Sequence, residues 1–209
     1  MNDGYGVIMF GKLREKYQKM MMPVGEAFSK LGLTPNIITF ISFIISICAG
    51  LLLAFNQLVL GVAFIVLTGL VDMLDGAVAR ATGRSTRFGA VWDHLLDRYA
   101  EFSIVFGIAF SVYSTWYIPF VAIFSMIMAS FVRAKAESVG KLDKCTVGIA
   151  ERQEKLLILI IGCLLTYFYS LPVILDYTIL DICLLLIAIL SQITVVQRLK
   201  YTWNMTQGE

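Results

Sequence analysis

Four aspartates stand at helical spacing in the stretch VDMLDGAVARATGRSTRFGAVWDHLLDR: Asp72 and Asp75, then Asp93 and Asp97. Asp93 and Asp97 are four apart, so on a helix they stack on one face with a rise of about 6 Å. Gly89 lies one turn earlier on that face. In the preceding segment Asp72, Gly76 and Arg80 form one i, i+4 row, and Asp75 with Ala79 forms the row beside it. The small side chains at Gly76, Ala79 and Gly89 leave room for a helix or a ligand to approach closely. Four carboxylates gathered in one bowl repel one another unless some protonate or a cation sits among them. An all-oxygen donor set suits Mg²⁺, Mn²⁺ or Ca²⁺ rather than zinc. A plain structural ion pair, Asp97 with Arg84 or Arg98, accounts for one or two acids but not for four with glycines aligned between them.

The elements that must position these acids are membrane helices. The chain has 209 residues, 58% of them hydrophobic and only 15% charged, and its mean hydropathy is +0.79. Soluble domains carry about 45–50% apolar and about 25% charged residues. That balance excludes a soluble enzyme, a disordered tail and a nucleic-acid binder. A membrane-spanning helix needs roughly 20 mostly apolar residues, and six stretches qualify: Asn36–Phe55, Leu58–Ala79, Ala90–Ser111, Trp116–Val132, Leu156–Leu171 and Tyr177–Gln197. Short connectors at Asn56–Gln57, Val112–Thr115 and Pro172–Asp176 make consecutive helices antiparallel neighbours. Ahead of them Phe10, Leu13, Tyr17 and Met20 recur at helical spacing among Lys12, Lys16 and Lys19, the pattern of a helix lying in the headgroup plane and ending or bending near Pro23. The expected architecture is an all-α integral membrane protein in a single domain over residues 1–209. It has an N-terminal interfacial amphipathic helix within 1–33 and six transmembrane helices bundled within 34–200.

Charge orients it. Of the 17 Lys and Arg residues, sixteen fall in the N-terminal segment, between the second and third spans, between the fourth and fifth, or after the sixth, and Arg98 lies slightly inside the third span at that same side. The opposite side has no basic residue, only the acids Asp176 in its last connector and Asp181 at the start of the sixth span. Basic residues collect on the cytoplasmic flanks, so both termini and the aspartate bowl are expected at the cytoplasmic side. The first 35 residues lack the pattern of a cleaved signal. Cys48, Cys145, Cys163 and Cys183 show no metal or disulfide spacing, and three of them lie in spans as small apolar residues.

Taken in order, Asp72, Asp75, Gly76, Ala79, Arg80, Gly89, Asp93 and Asp97 read D-x2-D-G-x2-A-R-x8-G-x3-D-x3-D. This resembles, at every position, the defining motif of the CDP-alcohol phosphotransferase family of integral membrane enzymes. The six helices, cytoplasmic termini and interfacial helix are similar to that family along essentially the whole chain. The resemblance implies transfer of a lipid-phosphate group from a CDP-lipid to an alcohol, with release of CMP. It implies two divalent ions, Mg²⁺ or Mn²⁺, held by Asp72, Asp75, Asp93 and Asp97, and Asp97 as the proton acceptor for the attacking hydroxyl. Gly76 and Arg80 would contact the CDP moiety with Thr86. Pro35 and Asn36, in a T-P-N stretch that opens the first helix behind Thr34, would line the nucleotide site. A homodimer is expected on the same ground alone.

The acceptor is read from three basic helix ends. FVRAKAE closes the fourth span, GIAERQEK opens the fifth and VVQRLK follows the sixth, placing Arg133, Lys135, Arg152 and Arg198 on the cytoplasmic face. Each taken alone is ordinary flanking charge. Three arginines at the ends of successive helices suit bidentate phosphate binding and point to an acceptor that itself carries phosphate. The FVRAKAE and GIAERxE stretches resemble the branch of the family formed by phosphatidylinositol-phosphate and archaetidylinositol-phosphate synthases, which implies an inositol phosphate acceptor. Glycerol 3-phosphate as acceptor would need the same basic pocket, and CDP-inositol as donor, as in di-inositol phosphate synthesis, is a further alternative. Outside this class, a cation transporter fits buried acids but not their place at one edge, and a structural membrane protein gives no reason for the bowl. His94 is expected at the helix surface or beside the site, and Tyr99 and Glu101 carry no pattern that assigns them a role.

Overall fold

Thr34 accepts the Ile37 backbone N–H at 3.4 Å and Pro35 occupies the first turn, where its missing N–H removes no bond, so the first helix begins where that pair stands. The structure is a computed structural model that describes residue 21 and residues 23–83 and 85–207. Six long helices run through the described residues: α1 (Pro35–Ala54), α2 (Leu58–Thr82), α3 (Arg87–Ala109), α4 (Tyr117–Ser138), α5 (Arg152–Phe168) and α6 (Ile179–Thr206). Each corresponds to one of the apolar stretches. Four of them, α1, α2, α4 and α6, are long and apolar enough to cross a membrane. In α3 the acids and arginines from Arg87 to Glu101 dilute the apolar run, and α5 has only 17 residues. The interfacial helix expected over Phe10–Met20, together with Arg84, lies outside the described residues. The backbone is helical at 23–30, where a Cβ at Gly25 would meet the Ala77 carbonyl oxygen at 2.6 Å.

The helix ends nearest the basic residues run past the hydropathy limits, whereas the opposite ends fall up to three residues short of them, α5 ending at Phe168 rather than Leu171. α4 continues past Val132 to Ser138, α5 starts at Arg152 rather than Leu156, and α6 continues past Gln197 to Thr206. Polar residues end a lipid-soluble stretch without ending a helix, and no Pro or Gly interrupts these extensions. At α5 the Glu154 carboxylate accepts the Glu151 N–H at 2.9 Å, a cap that fixes the earlier start.

The described residues up to Ser46 group with Val66–Ala100 in one compact unit, and Ile47–Ile65 group with the chain from Glu101 onward in a second. In the first, Ser42 Oγ donates to the Thr68 carbonyl at 3.0 Å and the Trp92 indole to the Asn36 carbonyl at 3.3 Å. The second contains a core that includes Leu53, Ile104, Ile108, Ile118, Leu159, Leu184 and Ile187, with α6 packed against both α4 and α5. There α1 and α3 cross with backbones in contact: a Cβ at Gly50 would run into the Ser103 carbonyl, and one at Gly107 into Gly50 itself. Small residues at such crossings allow the close packing on which membrane helices depend. Outward faces carry large apolar side chains, among them Phe40, Leu51, Leu60, Phe106, Phe124, Ile189 and Val196. In water so much exposed hydrocarbon would drive aggregation; facing lipid tails it is the expected surface, and the chain is a membrane protein.

Candidate metal centre

α2 and α3 bring three of the four aspartates together. One carboxylate oxygen from each of Asp72, Asp75 and Asp93 lies within 4.8 Å of the other two, all three residues half-buried. Oxygen ligands bind hard divalent cations at about 2.0–2.6 Å, which sets oxygens on one ion roughly 3–5 Å apart. The three side chains therefore fit a single divalent cation, and three like charges this close favour one. Asp97 stands outside the group and meets Arg98 Nη2 at 3.8 Å. Of the four-acid bowl read from spacing, the structure assembles three acids and leaves the fourth one turn along α3.

A residue that the motif does not contain completes the arrangement. Thr39, 4% exposed, donates its hydroxyl to Asp75 Oδ2 at 2.7 Å and lies 3.0 Å from the Pro35 carbonyl. Partners of this kind fix the rotamer of a ligating carboxylate. Thr39 sits one turn along α1 from Pro35 and on the same face, which is the only signal in the sequence that could have found it.

The residues expected around the nucleotide fall in the same unit. The Arg80 guanidinium folds back over Gly76, where a Cβ would stand 3.1 Å from Nη1, so a side chain at 76 would displace the arginine. Thr86 caps α3 by accepting the Gly89 N–H at 2.9 Å. A Cβ at Gly89 would lie 3.0 Å from that Thr86 hydroxyl and 3.2 Å from Asn36 Oδ1. The first turns of α1 and α3 thus stand side by side, joined also by the Trp92–Asn36 bond. Two helix N-termini side by side add their partial positive charges, which favours an anion there. His94 is exposed.

The basic residues lie in the second unit, and each has a defined neighbour. Arg133 donates from Nε to Glu137 Oε1 at 3.1 Å, and the same oxygen accepts the Cys145 N–H at 3.0 Å. Arg152 Nε lies 3.6 Å from Glu101 Oε1, with the glutamate side chain 2% exposed. Arg198, itself buried, donates from Nε to the Val147 carbonyl at 2.9 Å and from Nη1 to the Ala129 carbonyl. Arg133 and Arg198 are thereby tied to one loop, residues 145–147. Lys135 is exposed, with its ammonium 5.7 Å from the Phe131 ring centre.

Residues 32–196 match the family model for CDP-alcohol phosphatidyltransferase. The archaetidylinositol phosphate synthase of Pyrococcus horikoshii is 34% identical over 190 residues, covering 91% of this chain and 94% of the relative. The crystal structure of Mycobacterium tuberculosis phosphatidylinositol phosphate synthase with CDP-DAG bound superposes with a TM-score of 0.77 at 29% identity, covering 88% of this chain and 94% of that one. The same mycobacterial protein in complex with manganese and citrate gives a TM-score of 0.76 at 29% identity, with 88% of each chain covered.

Proposed function

The chain belongs to the CDP-alcohol phosphatidyltransferase family, and from that premise we propose that it transfers a lipid-phosphate group from a CDP-lipid to an inositol phosphate, releasing CMP. The observation that carries this reading is the convergence of Asp72, Asp75 and Asp93 within the matched segment. Asp72, Asp75 and Asp93 would hold one divalent ion, Mg²⁺ or Mn²⁺, and Asp97 would join the ligand set of a second; bound there, such ions would supply charge neutralisation for the diphosphate and for the departing CMP. A manganese-bound relative supports a metal of this class.

The chain's own groups then have distinct tasks. Arg80, lying over Gly76, pairs with the nucleotide's phosphate, and the paired starts of α1 and α3, with Pro35, Asn36 and Thr86, hold the cytidine side against their N–H groups. Asp97 accepts the proton of the attacking hydroxyl. As that oxygen bonds to the lipid-bearing phosphorus, the bond from phosphorus to CMP breaks and the electron pair leaves with CMP. Arg133, Lys135, Arg152 and Arg198 take the acceptor's own phosphate. The donor's tails remain in the bilayer, with all six helices as spans and both termini and the site at the cytoplasmic face. The assembly is a homodimer.

The test is a panel. Purified protein supplied with CDP-lipid and Mn²⁺ or Mg²⁺ is expected to release CMP fastest with inositol phosphate, ahead of glycerol 3-phosphate, free inositol and serine. A preference for free inositol or serine would overturn the acceptor assignment. No CMP release with any of the four would overturn the transferase reading.

A further inference from the structure

Three arginines assigned to the acceptor share a geometry that their roles alone do not require: in each, Nε faces an oxygen. Arg133 Nε donates to Glu137 Oε1 and Arg198 Nε to the Val147 carbonyl, while Arg152 Nε stands at ion-pair distance, 3.6 Å, from Glu101 Oε1 without a hydrogen bond between those two atoms. Guanidinium has five N–H donors in a rigid plane. An anchor on the Nε side restrains the rotation of the plane and turns the Nη pair outward as the fork that grips a phosphate. Arg198 spends Nη1 on the Ala129 carbonyl as well, so the device bears on Arg133 and Arg152.

Glu101 is the member that most needs explaining. Its carboxylate is 2% exposed, and Ile104, Val105 and Leu159 around this part of the second unit are equally buried. A charge in such surroundings persists only with a partner. Arg152 supplies one, and Lys155, one turn further along α5, is also buried. Buried ion pairs are often no more stabilising than packed apolar residues of similar volume, so stability alone does not account for an acid at 101. Glu137 repeats the device at the surface, where it also pins the 145–147 loop through the Cys145 N–H.

We propose that Glu101 and Glu137 are positioning residues that pre-orient Arg152 and Arg133 for the phosphate of the acceptor, and so set selectivity for phosphorylated over free polyols. The inference rests on the acceptor assigned above. It makes no contact with substrate itself; it acts through the arginines, by removing the rotamer freedom that each would otherwise lose on binding.

The experiment measures equilibrium binding of myo-inositol 3-phosphate to the full chain in lipid nanodiscs by calorimetry, alongside KM for acceptor and for CDP-lipid. Wild type, Glu101→Gln, Glu137→Gln and the conservative Glu101→Asp and Glu137→Asp are compared. The Gln variants are expected to bind inositol phosphate about tenfold more weakly, the scale of one lost charge-assisted contact. Acceptor KM rises in parallel, KM for CDP-lipid stays within about twofold, and each Asp variant recovers part of the loss. Glu101→Gln combined with Arg152→Lys should lose less than the sum of the two single changes. Unchanged inositol phosphate binding in both Gln variants, or equal shifts in the two KM values, would overturn the inference while leaving the acceptor reading intact. Wild type that binds no inositol phosphate would overturn both.

Discussion

Asp181 and the Asp72–Asp75–Asp93 group are the same side chain in the same apolar protein, under opposite conditions. Asp181 is 1% exposed and accepts four bonds from neutral donors: the Ser114 hydroxyl at 2.6 Å, the Thr115 N–H at 3.0 Å, the Thr115 hydroxyl at 3.2 Å and the Thr178 N–H at 3.2 Å. Thr178 returns the bond to the Asp181 N–H at 3.2 Å, closing a capping box at the start of α6. One negative charge is thus met by donors that the chain itself provides. At the other place one oxygen from each of three carboxylates lies within 4.8 Å of the other two; Asp75 accepts the Thr39 hydroxyl, yet three like charges this close still favour a cation or protonation. Burial of an acid is therefore not the mark of a functional site in this protein. The mark is the convergence of several acids on one point.

This contrast is broken or sharpened by substitution. Asp93→Asn should lower CMP release by at least about 100-fold, the scale of removing one electrostatic stabiliser of a transition state, without lowering the thermal midpoint; an initial-rate assay beside a melting curve decides it. Asp181→Ala should do the reverse. It leaves buried donors unsatisfied and strips a helix cap, which costs about 2–4 kcal/mol of stability, while activity per folded molecule stays near wild type. A metal-chelated sample brought to saturating Mn²⁺ should gain stability as ligand linkage requires, about 2.7 kcal/mol at a hundredfold excess over Kd. Asp181→Ala should keep that gain, and Asp75→Asn should lose it. The smallest effect is expected from Thr39→Val, which deletes the hydroxyl on Asp75: roughly tenfold weaker Mn²⁺ binding, by analogy with lost partners of metal ligands, and little change in melting.

The same division explains what the sequence could convey. The aspartate rows were legible because α2 and α3 are each continuous, so spacing of three and four residues already fixes which side chains share a face. The helices themselves were legible as apolar runs, whereas their ends at Ser138, Arg152 and Thr206 were not, because hydropathy registers the change of solvent and the backbone ignores it. Thr39 with Asp75, Glu101 with Arg152, and Ser114 with Asp181 join residues 36, 51 and 67 positions apart. No local pattern encodes such pairings; they exist only once helices have packed. Asp97 shows the limit from the other side. Its spacing places it in the row, yet a shared face does not guarantee a shared cluster, since each helix turn carries a side chain about 6 Å further along the axis.

The most direct measurement is a Mn²⁺ titration of the metal-stripped protein followed by electron paramagnetic resonance, with wild type and Asp93→Asn side by side. Quenching of the free-ion signal by wild type and its loss in the variant is the predicted result. Equal retention of the ion by both proteins would contradict the assignment of Asp72, Asp75 and Asp93 as its ligands.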